Sequence, residues 1–142
     1  MQIGVETSRA VENKRIFVVD TDEITRAALQ FMLHDENETH ELASLEEAYA
    51  KGAEWKPDLV LLGLGIVRAR GLSVLGEIGQ RLPGAKILLI ADAPSDPLLE
   101  AGLAAGVSGT IAKPLTIEGV RRRVDLVLGR LEAPLVQLEI LG

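Results

Sequence analysis

The chain predicts an α/β fold in which a five-stranded parallel sheet is covered on both faces by helices. Five short apolar runs, Ile16 to Val19, His40 to Ala43, Leu59 to Leu62, Ile87 to Ala91 and Gly109 to Ala112, alternate with helix-like segments. The third run is apolar at every position, as a strand buried on both sides requires. With 142 residues and 47% hydrophobic content, the chain can bury the core of one domain without metals or disulfides.

Each helix carries a local signal. Ile24, Ala27, Ala28, Phe31 and Met32 recur at i, i+3, i+4, i+7 and i+8, a stripe predicted to face the sheet. Ser44 with Glu47 forms a capping-box pattern that opens a second helix. A third is predicted from Gly71 to Leu82, stopped by Pro83-Gly84. Asp96 followed by Pro97 starts a fourth, because proline at the first helical position loses no hydrogen bond; it ends near Gly106. The last begins at Thr116, with Ile117, Val120, Val124, Val127, Leu128 and Leu131 on one side. Arg68-Ala69-Arg70, after the third strand, reads as a loop. The expected organisation is an N-terminal extension (1–14), a domain (15–132) and an apolar tail (133–142). That tail, with Leu135, Val136, Leu138, Ile140 and Leu141, is read as folding back on its own domain, the alternative being an interface or the start of a linker.

Composition removes several function classes. Without cysteine there is no disulfide, thiolate metal site or thiol nucleophile, which is compatible with a reducing cytoplasm, the expected location. No apolar stretch approaches the roughly 20 residues that span a bilayer, and Met1 to Lys14 is too polar for a secretory signal, so a soluble protein is expected. A formal charge of −6 argues against non-specific nucleic-acid binding, which relies on Lys and Arg at phosphates.

Val18-Val19-Asp20-Thr21-Asp22-Glu23 ends the first strand and Thr110-Ile111-Ala112-Lys113-Pro114 ends the fifth. In a doubly wound sheet the ends of the first, third and fifth strands are neighbours, so Asp20, Gly63 and Lys113 should converge on one crevice. These motifs, with Arg26, Pro57-Asp58-Leu59-Val60-Leu61-Leu62 and Ala105-Gly106, resemble the receiver domain of bacterial response regulators in two-component signalling, from Lys14 to Leu131. The resemblance implies a flavodoxin-like (βα)5 fold with strand order 2-1-3-4-5. It also implies an acidic pair and a third-strand aspartate that bind magnesium, the latter accepting a phosphoryl group.

Carried over by position, the first acid is Asp20, the second falls on Thr21, the phosphoacceptor on Gly63 and the fourth-strand hydroxyl on Ala91; only Asp20 and Lys113 match. The fifth-strand aromatic falls on Thr110, and the proline of the loop after the acceptor on Val67. Glycine offers nothing to phosphorylate, so the expectation is a phosphorylation-independent signalling module rather than an enzyme. Its magnesium binding should be weak or absent, because Mg²⁺ requires oxygen ligands and usually carboxylates. Asp22 is read as the cap of the first helix and Lys113 as the partner of Asp20. Arg68 and Arg70 could replace the missing magnesium charge at the acidic turn, but the preferred reading is solvated surface arginines.

Two other functions compete. One is a conventional phosphorelay receiver using a non-standard acceptor. The other is a nucleotide-binding domain, since Gly63-Leu64-Gly65 copies two glycines of the dinucleotide fingerprint, with Asp92 near the place of the ribose-binding acid; Arg68 at the third glycine opposes it. The expected partner is a protein, either a sensor kinase or a downstream effector. A homodimer through the fourth helix, fifth strand and last helix is the further expectation, because Glu118, Arg121, Arg122, Arg123, Asp125 and Arg130 mix charges there.

Overall fold

The computed structural model describes residues 13–130. Five parallel strands, β1 (Arg15–Val19), β2 (Glu38–Leu42), β3 (Leu59–Gly63), β4 (Lys86–Ala91) and β5 (Gly109–Ala112), form one sheet in the order β2-β1-β3-β4-β5. Six helices connect and follow them: α1 (Glu23–Leu33), α2 (Leu45–Gly52), α3 (Leu64–Arg70), α4 (Ser73–Arg81), α5 (Pro97–Ala104) and α6 (Ile117–Val127). The flavodoxin-like order is the expected one.

Strand side chains alternate between two cores. Phe17, Val19, Val60, Leu62 and Leu89 point to the face covered by α2 to α5, where Leu45, Val67, Ile78 and Leu99 meet them. Ile16, Val18, Leu59, Leu61, Leu88 and Ile90 point to the other face, covered by Leu29 and Leu33 of α1 and Val120 and Val124 of α6. Because both faces of β3 are buried, its sequence has no polar position before Gly63.

Four expectations need correction. The stripe of α1 is rotated: Thr25, Leu29 and Leu33 are buried, whereas Ile24 and Phe31 stand in solvent. Nearly every residue from 27 to 33 is apolar, so spacing alone does not fix the rotation. Thr25 helps fix it, since its hydroxyl donates to Asp22 Oδ2 at 2.6 Å. Ile117 is likewise exposed at the start of α6.

The stretch read as a loop after β3 is the helix α3. Leu64, Ile66 and Val67 are buried on it, and Val67 stands where a proline would have interrupted it. β2 begins two residues earlier than predicted and stops at Leu42. Its polar start is held at the sheet edge by Arg15, whose Nε lies 2.7 Å from Glu38 Oε2. The tail 133–142 and most of the extension 1–14 lie outside the described residues.

Candidate functional site

Three strand ends place the site. β1 delivers Asp20, β3 ends on Gly63 and β5 leads into Lys113, whose backbone N–H donates to Ala91 O at 2.9 Å. Between them lies a cleft of about 200 Å³ lined by Asp20, Thr21, Asp22, Gly63, Arg68, Asp92, Asp96 and Lys113, among others. The sequence-predicted Asp20, Thr21, Asp22, Gly63 and Lys113 therefore do come together. Ala91, expected in the same pocket, does not line the cleft: it is buried in the core at the end of β4.

The glycine at 63 answers to space rather than to backbone strain, because its φ of −64° is open to any residue. A Cβ built there would stand 2.5 Å from Asp20 Oδ2 and 2.6 Å from Asp20 Cγ. Real Cβ atoms do not approach oxygen so closely, so the Asp20 carboxylate occupies the volume that a side chain at 63 would need. That carboxylate is fixed by the Asp22 N–H, donated to Oδ1 at 2.8 Å, while the Asp20 carbonyl accepts from Arg26 Nη1 at 2.7 Å. Burial pushes the Asp20 carboxyl above the ordinary carboxylate range, and the neighbouring Asp22 charge adds to this. The hydrogen bond from Asp22 and the charges of Lys113 and Arg26 oppose it without cancelling it.

Asp22 caps α1 as the sequence suggested. Its Oδ1 accepts from Ile24 N–H at 3.2 Å and its Oδ2 from Thr25 Oγ1 at 2.6 Å, the latter being the main reason its carboxyl is held below the usual range. Lys113 does not pair with Asp20, a correction to the expectation. Its Nζ lies 3.0 Å from Asp92 Oδ1 and 3.7 Å from Asp22 Oδ2, and the Asp92 bond raises its pKa. Asp92 follows β4 as Asp20 follows β1, and this parallel is the sequence signal for its place at the cleft.

The two arginines separate. Arg68 lines the cleft but bonds Asp96, which also caps α5 by accepting from Leu98 N–H at 3.0 Å. Arg70 turns away to Glu77 at 2.9 Å and Glu46 at 3.3 Å, so neither guanidinium bonds the acidic turn. Glu77 also accepts from Tyr49 Oη at 2.8 Å, which ties α2, α3 and α4 together.

The residues present do not fit a magnesium ion. Both Asp22 oxygens are engaged at the cap, residues 21 and 63 carry no carboxylate, and among the described residues no group of three His, Cys, Asp or Glu could hold a metal.

The response regulator receiver domain model matches residues 16–125. The chain belongs to this family. It is similar to the transcriptional regulatory protein LnrK of Bacillus subtilis, 26% identical over 116 residues that make up 80% of this chain and 53% of LnrK. It is also similar to the response regulator VraR of Staphylococcus aureus, 29% identical over 109 residues, 75% of this chain and 52% of VraR. The receiver thus spans about half the length of the curated relatives it matches. A response regulator from Thermotoga maritima shares the fold with a TM-score of 0.74 at 22% identity, over 82% of this chain and 98% of that one. Receiver membership places the chain in two-component signalling. No helix among the described residues is long and apolar enough to cross a membrane.

Proposed function

We propose that this receiver works by phosphorylation-independent protein contact, as a non-enzymatic cytoplasmic module in which Gly63 holds the phosphoacceptor position, Thr21 the second acid position and Ala91 the hydroxyl position. One observation carries the reading: the Asp20 carboxylate stands 2.5 Å from where a Cβ at residue 63 would be. The cations that could meet a phosphoryl group are already matched, Lys113 by Asp92 and Arg68 by Asp96. Magnesium binding is weak or absent on this reading.

The partner is a sensor kinase or a downstream effector. Its working surface is α5, β5 and α6, which also serves to pair two copies. There, a groove of about 350 Å³ is lined by Leu99, Ile111, Leu115, Val120 and Arg123, with only the short Thr110 where an aromatic would fill it. Truncation after Glu132 tests whether the tail contributes to pairing, by sedimentation against concentration.

The deciding experiment is incubation with acetyl phosphate and Mg²⁺, read by intact mass, and with beryllium fluoride, read by amide chemical shifts. No added phosphoryl group and no shift are expected. Stoichiometric phosphorylation would overturn the reading. If the group mapped to Asp20, it would establish the competing one, a phosphorelay receiver with a non-standard acceptor, which the position of Asp20 in the cleft favours.

A further inference from the structure

We propose that the groove between β5 and the first two turns of α6 binds a small aromatic carboxylate. Its volume of about 350 Å³ falls within the range of small-molecule sites, roughly 300–1,000 Å³. Leu99, Ile111, Leu115 and Val120 give it an apolar wall. Thr110 stands in that wall with a side chain too short to fill the space, and Gly119 on α6 adds none. Polar groups lie at both ends. At one, the Thr116 hydroxyl accepts from the Gly119 N–H at 3.0 Å, which leaves its own proton free to donate. At the other stands Arg123, seven residues on and about 10 Å along the helix, a span that suits a two-ring acid. The same length holds only about three residues of extended chain, so the groove suits a small molecule better than a protein segment.

Charge selects the ligand. Arg123 is the only charged side chain among the described residues that line the groove. Arg121, on the same helix, is committed to Asp35 and the Met32 carbonyl. Arg123 makes no hydrogen bond or ion pair among the described residues. Its stem lies along β5, with Cδ 3.7 Å from where a Cβ at Gly109 would be. A guanidinium beside an apolar wall offers two parallel N–H donors to a carboxylate, and a rigid ring fills the wall without the ordering cost of an alkyl chain. The net charge of −6 on the whole chain disfavours anions at long range, so affinity for a carboxylate has to come from this local arrangement. The proposal goes beyond the reading above, because it gives the groove a ligand of its own, and it holds or fails without any phosphodonor.

The test titrates naphthoate, beside its neutral amide, into the full ¹⁵N-labelled chain without phosphodonor, so its outcome is independent of the phosphorylation result. Naphthoate should give saturable shifts of residues 110–116 and 119–123, with binding weakened by added salt. The amide should bind at least about fivefold more weakly, and Arg123→Gln should lose a similar factor for naphthoate. Arg122→Gln removes the same charge from a neighbour that does not line the groove, and should bind like the parent. Thr110→Phe, which fills the groove, should abolish the shifts while retaining the parent's amide dispersion. Absent shifts, shifts centred elsewhere, equal binding of the amide, or unchanged affinity of Arg123→Gln would overturn the proposal. Tighter binding at the same residues by a capped peptide with Glu-Phe-Glu at its centre would overturn it in favour of a protein segment. Concentration-dependent shifts of the groove residues without naphthoate would overturn it in favour of a second copy as the occupant.

Discussion

Around Gly63, the charged side chains are answered from within the chain: Lys113 by Asp92, Arg68 by Asp96, Asp22 by the first turn of α1. On that helix, Ile24 in the first turn and Phe31 about two turns on project into solvent. The two regions adjoin at Asp22, yet one has satisfied its own chemistry and the other has left its apolar surface open. A site whose charges are internally matched has little free energy left for a ligand, whereas an uncovered apolar stripe gains on burial. The difference supports the proposed reading, in which recognition falls on the surface rather than in the cleft.

The largest test forces the cleft open. Gly63→Asp would push the Asp20 carboxylate out of the space it now fills, break its bond from the Asp22 N–H and set three carboxylates together. We expect destabilisation above about 2 kcal/mol in urea unfolding, from overpacking and like-charge repulsion together. Adding Asp20→Ala should recover part of that loss, a non-additivity that isolates the contact. Millimolar magnesium should stabilise the Gly63→Asp variant and leave the parent unchanged, with Trp55 fluorescence as the readout. If Gly63→Asp is as stable as the parent without metal, the cleft is not closed as described.

A smaller effect is expected at the other end of the cleft. Asp96 both caps α5 and receives Arg68, so Asp96→Ala should cost about 1 kcal/mol, most of it from the cap. Arg68→Ala should cost less, because Arg68 is more than half exposed and such ion pairs contribute about 0–1 kcal/mol. Equal losses in the two variants would make the ion pair, not the cap, the important element.

Asp20 gives a pH test with a definite sign. Its carboxyl is raised in the fold by burial, so the protonated form is the one the fold prefers. The stability this contributes is fully present below the ordinary carboxylate pKa and is lost as pH rises through the raised value. Asp20→Asn should therefore melt at a higher temperature than the parent at pH 7, with the advantage vanishing as pH falls into the carboxylate range. A variant less stable than the parent at pH 7 would mean that Lys113 and Arg26 outweigh desolvation.

What could be read from the chain was local. Asp22 and Ser44 cap helices as expected, and the helix starts expected at Asp96 and Thr116 are caps as well, because a cap is decided within three residues. The all-apolar β3 and the convergence of Asp20, Gly63 and Lys113 followed from strand pattern and topology. The pairing of Lys113 with Asp92, the turn of Arg70 toward Glu77 and the departure of Arg68 to Asp96 depend on long side chains choosing among acids brought close only by the tertiary fold. The helix α3 was missed because its seven residues, including Gly65, are too short for a periodic signal. In α1 the apolar residues were too many to choose a face, and the choice was made partly by Thr25 reaching Asp22.

The smallest expected effect is on the open side of the comparison. Replacing both Ile24 and Phe31 with serine removes apolar surface that the fold does not bury, so folding should be altered only by the minor loss of helix propensity, within about 0.5 kcal/mol. A core position of the same helix serves as the reference: Leu29→Ala should cost about 2–5 kcal/mol, because Leu29 is fully buried between α1 and the sheet. The ratio between the two measures how far α1 divides its apolar residues between its own core and solvent. A loss above about 1 kcal/mol for the serine pair would mean that Ile24 and Phe31 pack against another part of the chain, and the stripe would then belong to the core rather than to the surface.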